Sequence, residues 1–415
     1  MHQKRFQECR AQNLSIPIEK VMVLSAASKM RGHVSVSKVP TAICNHKLIQ
    51  DLGYALYDPK GNLKDVMANE SGIRSIVGRY VQEDFFNFYN KTVQDYIIPL
   101  LLFSPVHFIV DCTKIHANIE NKNYEGAKIA TEKKHGRNVT EFGYKLATIY
   151  AVIGDTGILV ECKFGPMNIS DIKLCRDMLR DTPILKPGDT ITYDRGFNNR
   201  GLVNMLKNDR LVDVYTPAKK GMDIYKEAVS IAKMENNWSK HPTRAQQKIA
   251  FVPNLGNMWQ GTSTRYDAQL NACVVWDQSN GEYYVFLTTN VSEKAKMIIR
   301  TYETRMEIEA HYRQLKIFMY LEKLQSQKLN VIGYHIVSTL LGYLFFQLYT
   351  LTDGQEWLGR SLACVAREDI PKPLPYIVIY SGNVFGVFSI GELIDLSPHL
   401  EEVAREGLKR ILDAV

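Results

Sequence analysis

The order of apolar and polar positions changes character along the chain. Up to about residue 105 the apolar residues recur at helical spacing. VPTAICNHKLIQDLGYAL (39–56) and GIRSIVGRYVQEDFFNFYNKTVQDYIIPLLLF (72–103) carry apolar faces that stop near Pro99 and Pro105. From 106 the period shortens. VHFIVD (106–111) is a brief apolar run ending in an acid, and KLATIYAVIGDTGILVECKF (145–164) reads as two strands joined by the turn GDTG. A helix is predicted over DIKLCRDMLR (171–180), with Asn168 or Ser170 as its cap. The strand TITYD (190–194), again ending in an acid, is followed by helical NNRGLVNMLKND (198–209) and strand-like LVDVYTPAKK (211–220). Three strands in hairpin order, then helix alternating with strand, predict an α/β domain with a mixed sheet. In such sheets site residues collect at the carboxyl ends of strands.

The alternation is interrupted between 221 and 291. A polar stretch there leads into KIAFVPNLG, YDAQLNACVVWD and EYYVFLTTN, which together predict a β-rich insertion. One long helix is then expected from about Ser292 through Lys316. Texture divides the chain into a helical, basic region (1–105), two parts of one domain (106–220 and 292–350) around the insertion (221–291), and a C-terminal region (351–415). VIGYHIVSTLLGYLFFQLYTL (331–351) has no formal charge and the length to cross a bilayer. His335, Ser338, Thr339, Gln347 and three tyrosines dilute it, so a buried core helix is expected and no membrane partner.

Composition changes this picture little, and charge changes it more. At 415 residues, 45% hydrophobic and 23% charged, the chain is an ordinary folded protein of two or three domains. The net charge is +7, yet residues 1–50 hold eight Lys/Arg against Glu8 and Glu19, a local net of +6. A basic end on a nearly neutral body points to a polyanionic partner, most economically nucleic acid. The seven cysteines are scattered without a CxxC pair, which argues against a zinc site or disulfide framework and suits a reducing cytoplasm.

Candidate chemistry concentrates in YETRMEIEAHYRQLK (302–316). On a helical wheel at about 100° per residue, Tyr302, Arg305, Glu309, Arg313 and Lys316 share a sector of roughly 80°. Ile308, Tyr312 and Leu315 form a core-facing stripe beside it. Glu303 and Glu307 fall elsewhere, as an i,i+4 like-charge pair expected on a solvated face. Glu309 among cations is by itself compatible with an ion-pair network. Asp111 and Asp194, each ending a strand, alter that balance. If the helix packs on that sheet edge, three carboxylates converge with no cation between them. Such a cluster suits hard divalent ions, Mg²⁺ or Mn²⁺. Two ions can clamp the attacking and leaving oxygens of a phosphoryl transfer.

Asp111 in FIVDCTKI, Asp194 in DRGF, and the spacing Tyr302-x2-Arg305-x3-Glu309-x6-Lys316 together resemble a DDE transposase of the insertion-sequence-4 family, with its YREK signature. The resemblance covers about residues 105–350. It implies a ribonuclease-H-like catalytic domain. Asp111, Asp194 and Glu309 would be its catalytic metal ligands, holding two Mg²⁺ or Mn²⁺ ions. Tyr302, Arg305 and Lys316 would contact double-stranded transposon-end DNA, and a homodimer would form the synaptic complex. The 115 residues from Asp194 to Glu309 match a β-strand insertion carried there by the family. An aromatic residue in or near that insertion can stack on a flipped base, which makes Trp238 and Trp259 candidates. Arg313, Lys219 and Lys220, with the loop EKKHGR (132–137), are further phosphate contacts by charge, and Arg195 a weaker one. His116 lacks the partner histidines of a mixed His/Asp metal site. The expected reaction is cut-and-paste DNA transposition. A nuclease without strand transfer and a domesticated DNA-binding protein are the alternatives.

Overall fold

The computed structural model describes residues 18–30, 32–39, 70–101, 105–134, 136–154, 156–255, 267–351, 360, 362, 364–365, 377–381 and 384–388. The chain forms two compact units. One comprises Gln82–Lys316 with Ser326–Leu329, and the other Met1–Val81, Ile317–Gln325 and Asn330–Val415. This division differs from the one expected by texture. The helix Gln82–Thr92, placed by texture with the basic end, belongs to the sheet-containing unit, and residues 330–351 belong to the other. VPTAICNHKLIQDLGYAL lies, apart from Val39, outside the described residues, as does nearly all of 352–415.

Within the larger unit, strands β1 (His107–His116), β3 (Arg137–Ile153) and β4 (Thr156–Pro166) form an antiparallel meander. A hairpin arm, β2 (Lys128–Lys134), pairs with the start of β3. Strands β5 (Thr190–Tyr193) and β6 (Asp213–Pro217) then run parallel to β1. The crossover helix Asp171–Asp181 precedes β5, and Arg200–Asn204 precedes β6. This is the mixed sheet expected from the sequence.

The insertion does not stand apart from it. β10 (Tyr283–Thr288) pairs with β6, and β9 (Leu270–Asp277), β8 (Gln247–Leu255) and β7 (Ser239–Lys240) follow outward. The result is one ten-stranded sheet. Ile249, Cys273 and Val275 pack with Tyr215, Ile298 and Ile299, so strands of the insertion share a core with the helix Ala295–Glu303.

Two local devices hold the meander. The Asn90 side chain donates its amide N–H to the Cys162 carbonyl and accepts from the Cys162 N–H, both at 2.9 Å. It thus satisfies one rung of β4 as a neighbouring strand would, which leaves less unpaired edge. At Gly143 the chain has φ of +143°, and a Cβ there would collide with the Ile115 carbonyl. Gly143 is the residue of β3 that faces both Lys128 on β2 and His116 on β1, so a close backbone crossing dictates glycine.

In the smaller unit, Leu329–Leu351 is the core helix expected from its composition, and 83% of its most apolar window is buried. Against it lies Ile18–Met30, through a Ser25–Tyr334 hydrogen bond and Lys29 Nζ, 3.0 Å from His335 Nδ1. Among the described residues, Cys112, Cys162, Cys175 and Cys273 take part in no disulfide.

Candidate active site

Strand register brings the two aspartates together. Ile109 is level with Thr192 and Val110 with Tyr193, so Asp111 stands level with Asp194 one rung further. Because side chains alternate across a strand, Ile109, Asp111, Thr192 and Asp194 all share one face. Asp111 does not end its strand, as the sequence suggested. β1 continues to His116 against β3, while the parallel pairing with β5 stops at Val110. Asp111 therefore sits where two parallel strands part.

The third acid arrives on a separate short helix. The helix expected from Ser292 to Lys316 is broken into Ala295–Glu303 and Met306–Arg313, with Thr304 and Arg305 between them. The second segment packs on the Asp111 face. Tyr312 hydrogen-bonds Thr148, the cross-strand partner of Asp111, and His311 stacks on Tyr150 at 5.1 Å. Ile308, Tyr312 and Leu315 are buried, as their spacing predicts. Glu309 lies on the open side and is 59% exposed.

A cation does stand among the carboxylates, contrary to expectation. The Arg305 guanidinium donates Nη1–H to Glu309 Oε1 at 3.0 Å, and its Nη2 lies 3.6 Å from Asp111 Oδ2 and 4.0 Å from Asp194 Oδ2. The arginine side chain is only 12% exposed. Burial pushes the Asp111 carboxyl up to about 6, against the pull of Arg305 and of the Cys112 N–H, which donates to Oδ1 at 2.8 Å. Nearby Asp194 and Glu309 add to the rise. Asp194, on the loop after β5, is 38% exposed.

Tyr302 rests on Phe286, ring centroids 4.7 Å apart, and burial raises its phenol to about 12, with Arg305 opposing and the three carboxylates assisting. It remains a neutral hydrogen-bond donor at physiological pH. Lys316 donates to the Lys114 carbonyl on β1 at 2.7 Å, three residues beyond Asp111. Tyr302, Arg305, Glu309 and Lys316 thus all belong to the unit that carries the aspartates.

Other expectations fare differently. Arg313 and Arg195 are exposed. Lys219 and Lys220 follow β6 at the same carboxyl edge as Asp194, both exposed, with Lys220 paired to Glu282. EKKHGR is not a simple loop: Glu132–Lys134 pair with Arg137–Val139 as the end of the β2–β3 hairpin, and His135 lies outside the described residues. Trp238 packs against Trp276 and Tyr283, at 5.6 and 6.2 Å between centroids, as part of an aromatic cluster of the insertion. Trp259 lies outside the described residues.

Glu303 and Glu307 do not form the expected solvated pair, because the break at Thr304 separates them. Glu303 is 20% exposed and binds Arg244 Nη2 at 2.9 Å, with His241 Nε2 at 3.8 Å; Glu307 is half-buried. Sequence reasoning missed the Arg244–Glu303 pair, whose partners are far apart along the chain and carry no motif.

The site's donors are three carboxylates with no sulfur or imidazole among them, a set suited to a hard divalent cation. As placed, no three His, Cys, Asp or Glu side chains among the described residues are grouped tightly enough to share one ion. The three acids are grouped around a guanidinium instead. The fit is therefore one of chemistry and position. A cavity of about 930 Å³, lined by Phe86, Asn90, Glu161, Phe164, Asp177 and Asp181 among others, contains none of the candidate residues.

Residues 102–345, more than half of the chain, match the family described as Transposase DDE domain. No curated protein matches the chain.

Proposed function

The chain belongs to the transposase DDE-domain family, enzymes of metal-dependent DNA phosphoryl transfer, and from that premise we propose that it moves an insertion sequence by cut-and-paste transposition. The observation that carries this reading is the meeting of Asp111, Asp194 and Glu309, from β1, the β5 loop and the second helix, around one cationic group.

In this reading Asp111, Asp194 and Glu309 hold two divalent ions, Mg²⁺ or Mn²⁺. When bound, the ions supply Lewis-acid stabilisation to the attacking and leaving oxygens. The protein's own groups position the DNA. Tyr302 offers a neutral phenol, and Arg305 and Lys316 offer phosphate contacts at the spacing of the YREK signature of the insertion-sequence-4 family. Lys219 and Lys220 extend the grip along the same sheet edge, and Arg313 along the helix. Trp238 would serve a flipped base only by leaving its packing, so its main role is to brace the insertion, and Trp259 is the other candidate for that stacking. The synaptic complex is a homodimer.

Two displacements make up the reaction. Water attacks the phosphodiester at the element's end and the 3′-oxygen leaves, protonated, as a free 3′-OH. That 3′-OH then attacks a phosphate of the target duplex, and the target's own 3′-oxygen departs. Each step exchanges one P–O bond for another, so no protein nucleophile and no organic cofactor is required.

The test is to sequence the DNA flanking the gene for short inverted repeats and to use DNA carrying them in a joining assay with Mg²⁺ and a target plasmid. Joined products whose element 3′ ends are linked to target DNA are expected. Cleaved ends without joined products would assign the chain to the nuclease alternative, and DNA binding without cleavage to the domesticated one.

A further inference from the structure

We infer that Arg305 is a placeholder for the metal ions: in the metal-free enzyme its guanidinium fills the space into which Asp111, Asp194 and Glu309 aim, and metal loading requires it to leave. The inference rests on the reading of these acids as the metal site.

Three carboxylates this close repel one another, and a cation between them offsets that repulsion. A planar guanidinium suits the position because its fork can reach several carboxylates at once. Here Nη1 serves Glu309 while Nη2 lies between Asp111 and Asp194. The arrangement is incomplete as an ion-pair network. Nη2 stands 3.6 and 4.0 Å from its two aspartates, beyond hydrogen-bond length, and the buried Arg305 Nε has no hydrogen-bond partner. One orphaned buried donor and two long contacts describe a residue that fills a site without being locked into it.

The surroundings permit release. Arg305 is at the break between two helices, and two of its three partners, Asp194 and Glu309, are substantially exposed. A DNA phosphate is the natural competitor for the guanidinium, since it offers the same bidentate geometry. Drawing Arg305 onto a phosphate would vacate the triad, so DNA and metal should favour each other's binding, reciprocally. The enzyme would then acquire its metals most readily once DNA is in place.

Titrating the full-length protein with Mn²⁺ alone, followed by calorimetry and by thermal melting, tests this. Arg305→Gln should bind Mn²⁺ roughly 5- to 30-fold more tightly than the wild type, the scale of releasing a partly buried ion pair. Its metal-free melting temperature should fall and its Mn²⁺-induced rise should grow. Arg305→Lys, which keeps the charge but loses the fork, should tighten binding less, and it serves if the glutamine variant does not fold. Adding a 20-base-pair duplex should raise Mn²⁺ affinity in the wild type and leave Arg305→Gln unchanged. Equal or weaker Mn²⁺ binding by Arg305→Gln would overturn the placeholder role while leaving the metal site standing. Absence of Mn²⁺ binding in every protein, with or without duplex, would instead overturn the metal-site reading, and this inference with it.

Discussion

Glu309→Gln slows single-turnover cleavage of transposon-end DNA by at least ~10³-fold, while Glu307→Gln keeps it within about threefold of the wild type. The contrast follows from where the two acids stand. Glu309 lies four residues beyond Arg305 and shares its guanidinium with both aspartates. Glu307, two residues earlier, is rotated away by about 200° on the same helix. Glutamine keeps the size and hydrogen bonding of Glu309 but not its charge, so the loss would measure metal ligation rather than packing. Circular dichroism and melting of both variants show whether the fold is kept. Loss of cleavage in Glu307→Gln with activity retained in Glu309→Gln would exchange their roles and remove Glu309 from the site.

Asp111→Asn abolishes the same cleavage, and in the absence of metal it makes the protein more stable at pH 7.5. Burial raises the Asp111 carboxyl from its ordinary 3.8 to about 6 in the folded chain. Between those values the folded protein binds more protons than the unfolded one. Stability is thus greatest with Asp111 protonated, falls as pH rises through about 6, and stays reduced above it. Asparagine resembles the protonated acid and retains an oxygen for the Cys112 N–H. The variant should exceed the metal-free wild type by ~1–3 kcal/mol at pH 7.5, a gap that closes as pH falls towards 4. Chemical denaturation at several pH values checks this. A variant less stable than the wild type at pH 7.5 would contradict it. Saturating Mg²⁺ should stabilise the wild type alone, which is how a site built for function differs from one built for stability.

Much of this was legible in the sequence because it depends on local pattern. The turn GDTG between apolar runs gave β3 and β4. The acids after FIV and TITY marked β1 and β5, and the Ile308, Tyr312, Leu315 stripe gave the buried face of the catalytic helix. The polar dilution of residues 331–351 marked a buried helix.

What escaped depends on tertiary context. KIATEKK carries alternation too polar to stand out, and it becomes a strand only because β3 extends beside it. The break at Thr304 and Arg305 involves neither Gly nor Pro, and both residues keep right-handed helical dihedrals, so no local signal marks it. That break separates Glu303 from Glu307 and lets Glu303 meet Arg244. A wheel drawn through it still placed Tyr302, Arg305 and Glu309 together, since their shared face survives a small bend. Arg305 was legible as a neighbour of Glu309 at i,i+4 but not of the aspartates, whose approach depends on strand register. The insertion's union with the main sheet also lies beyond periodicity, which predicts strands but not their partners.

The central claim is that Asp111, Asp194 and Glu309 form one metal site. Iron(II) can stand in for Mg²⁺ on carboxylates, and with ascorbate and peroxide it cuts the backbone beside the ion. Mapping those cuts in the full-length protein is the most direct test. Fragments ending near residues 111, 194 and 309 are expected together, suppressed by excess Mg²⁺ and lost in Asp111→Asn. Cuts at other positions, or cuts at these three that persist in Asp111→Asn, would contradict the account.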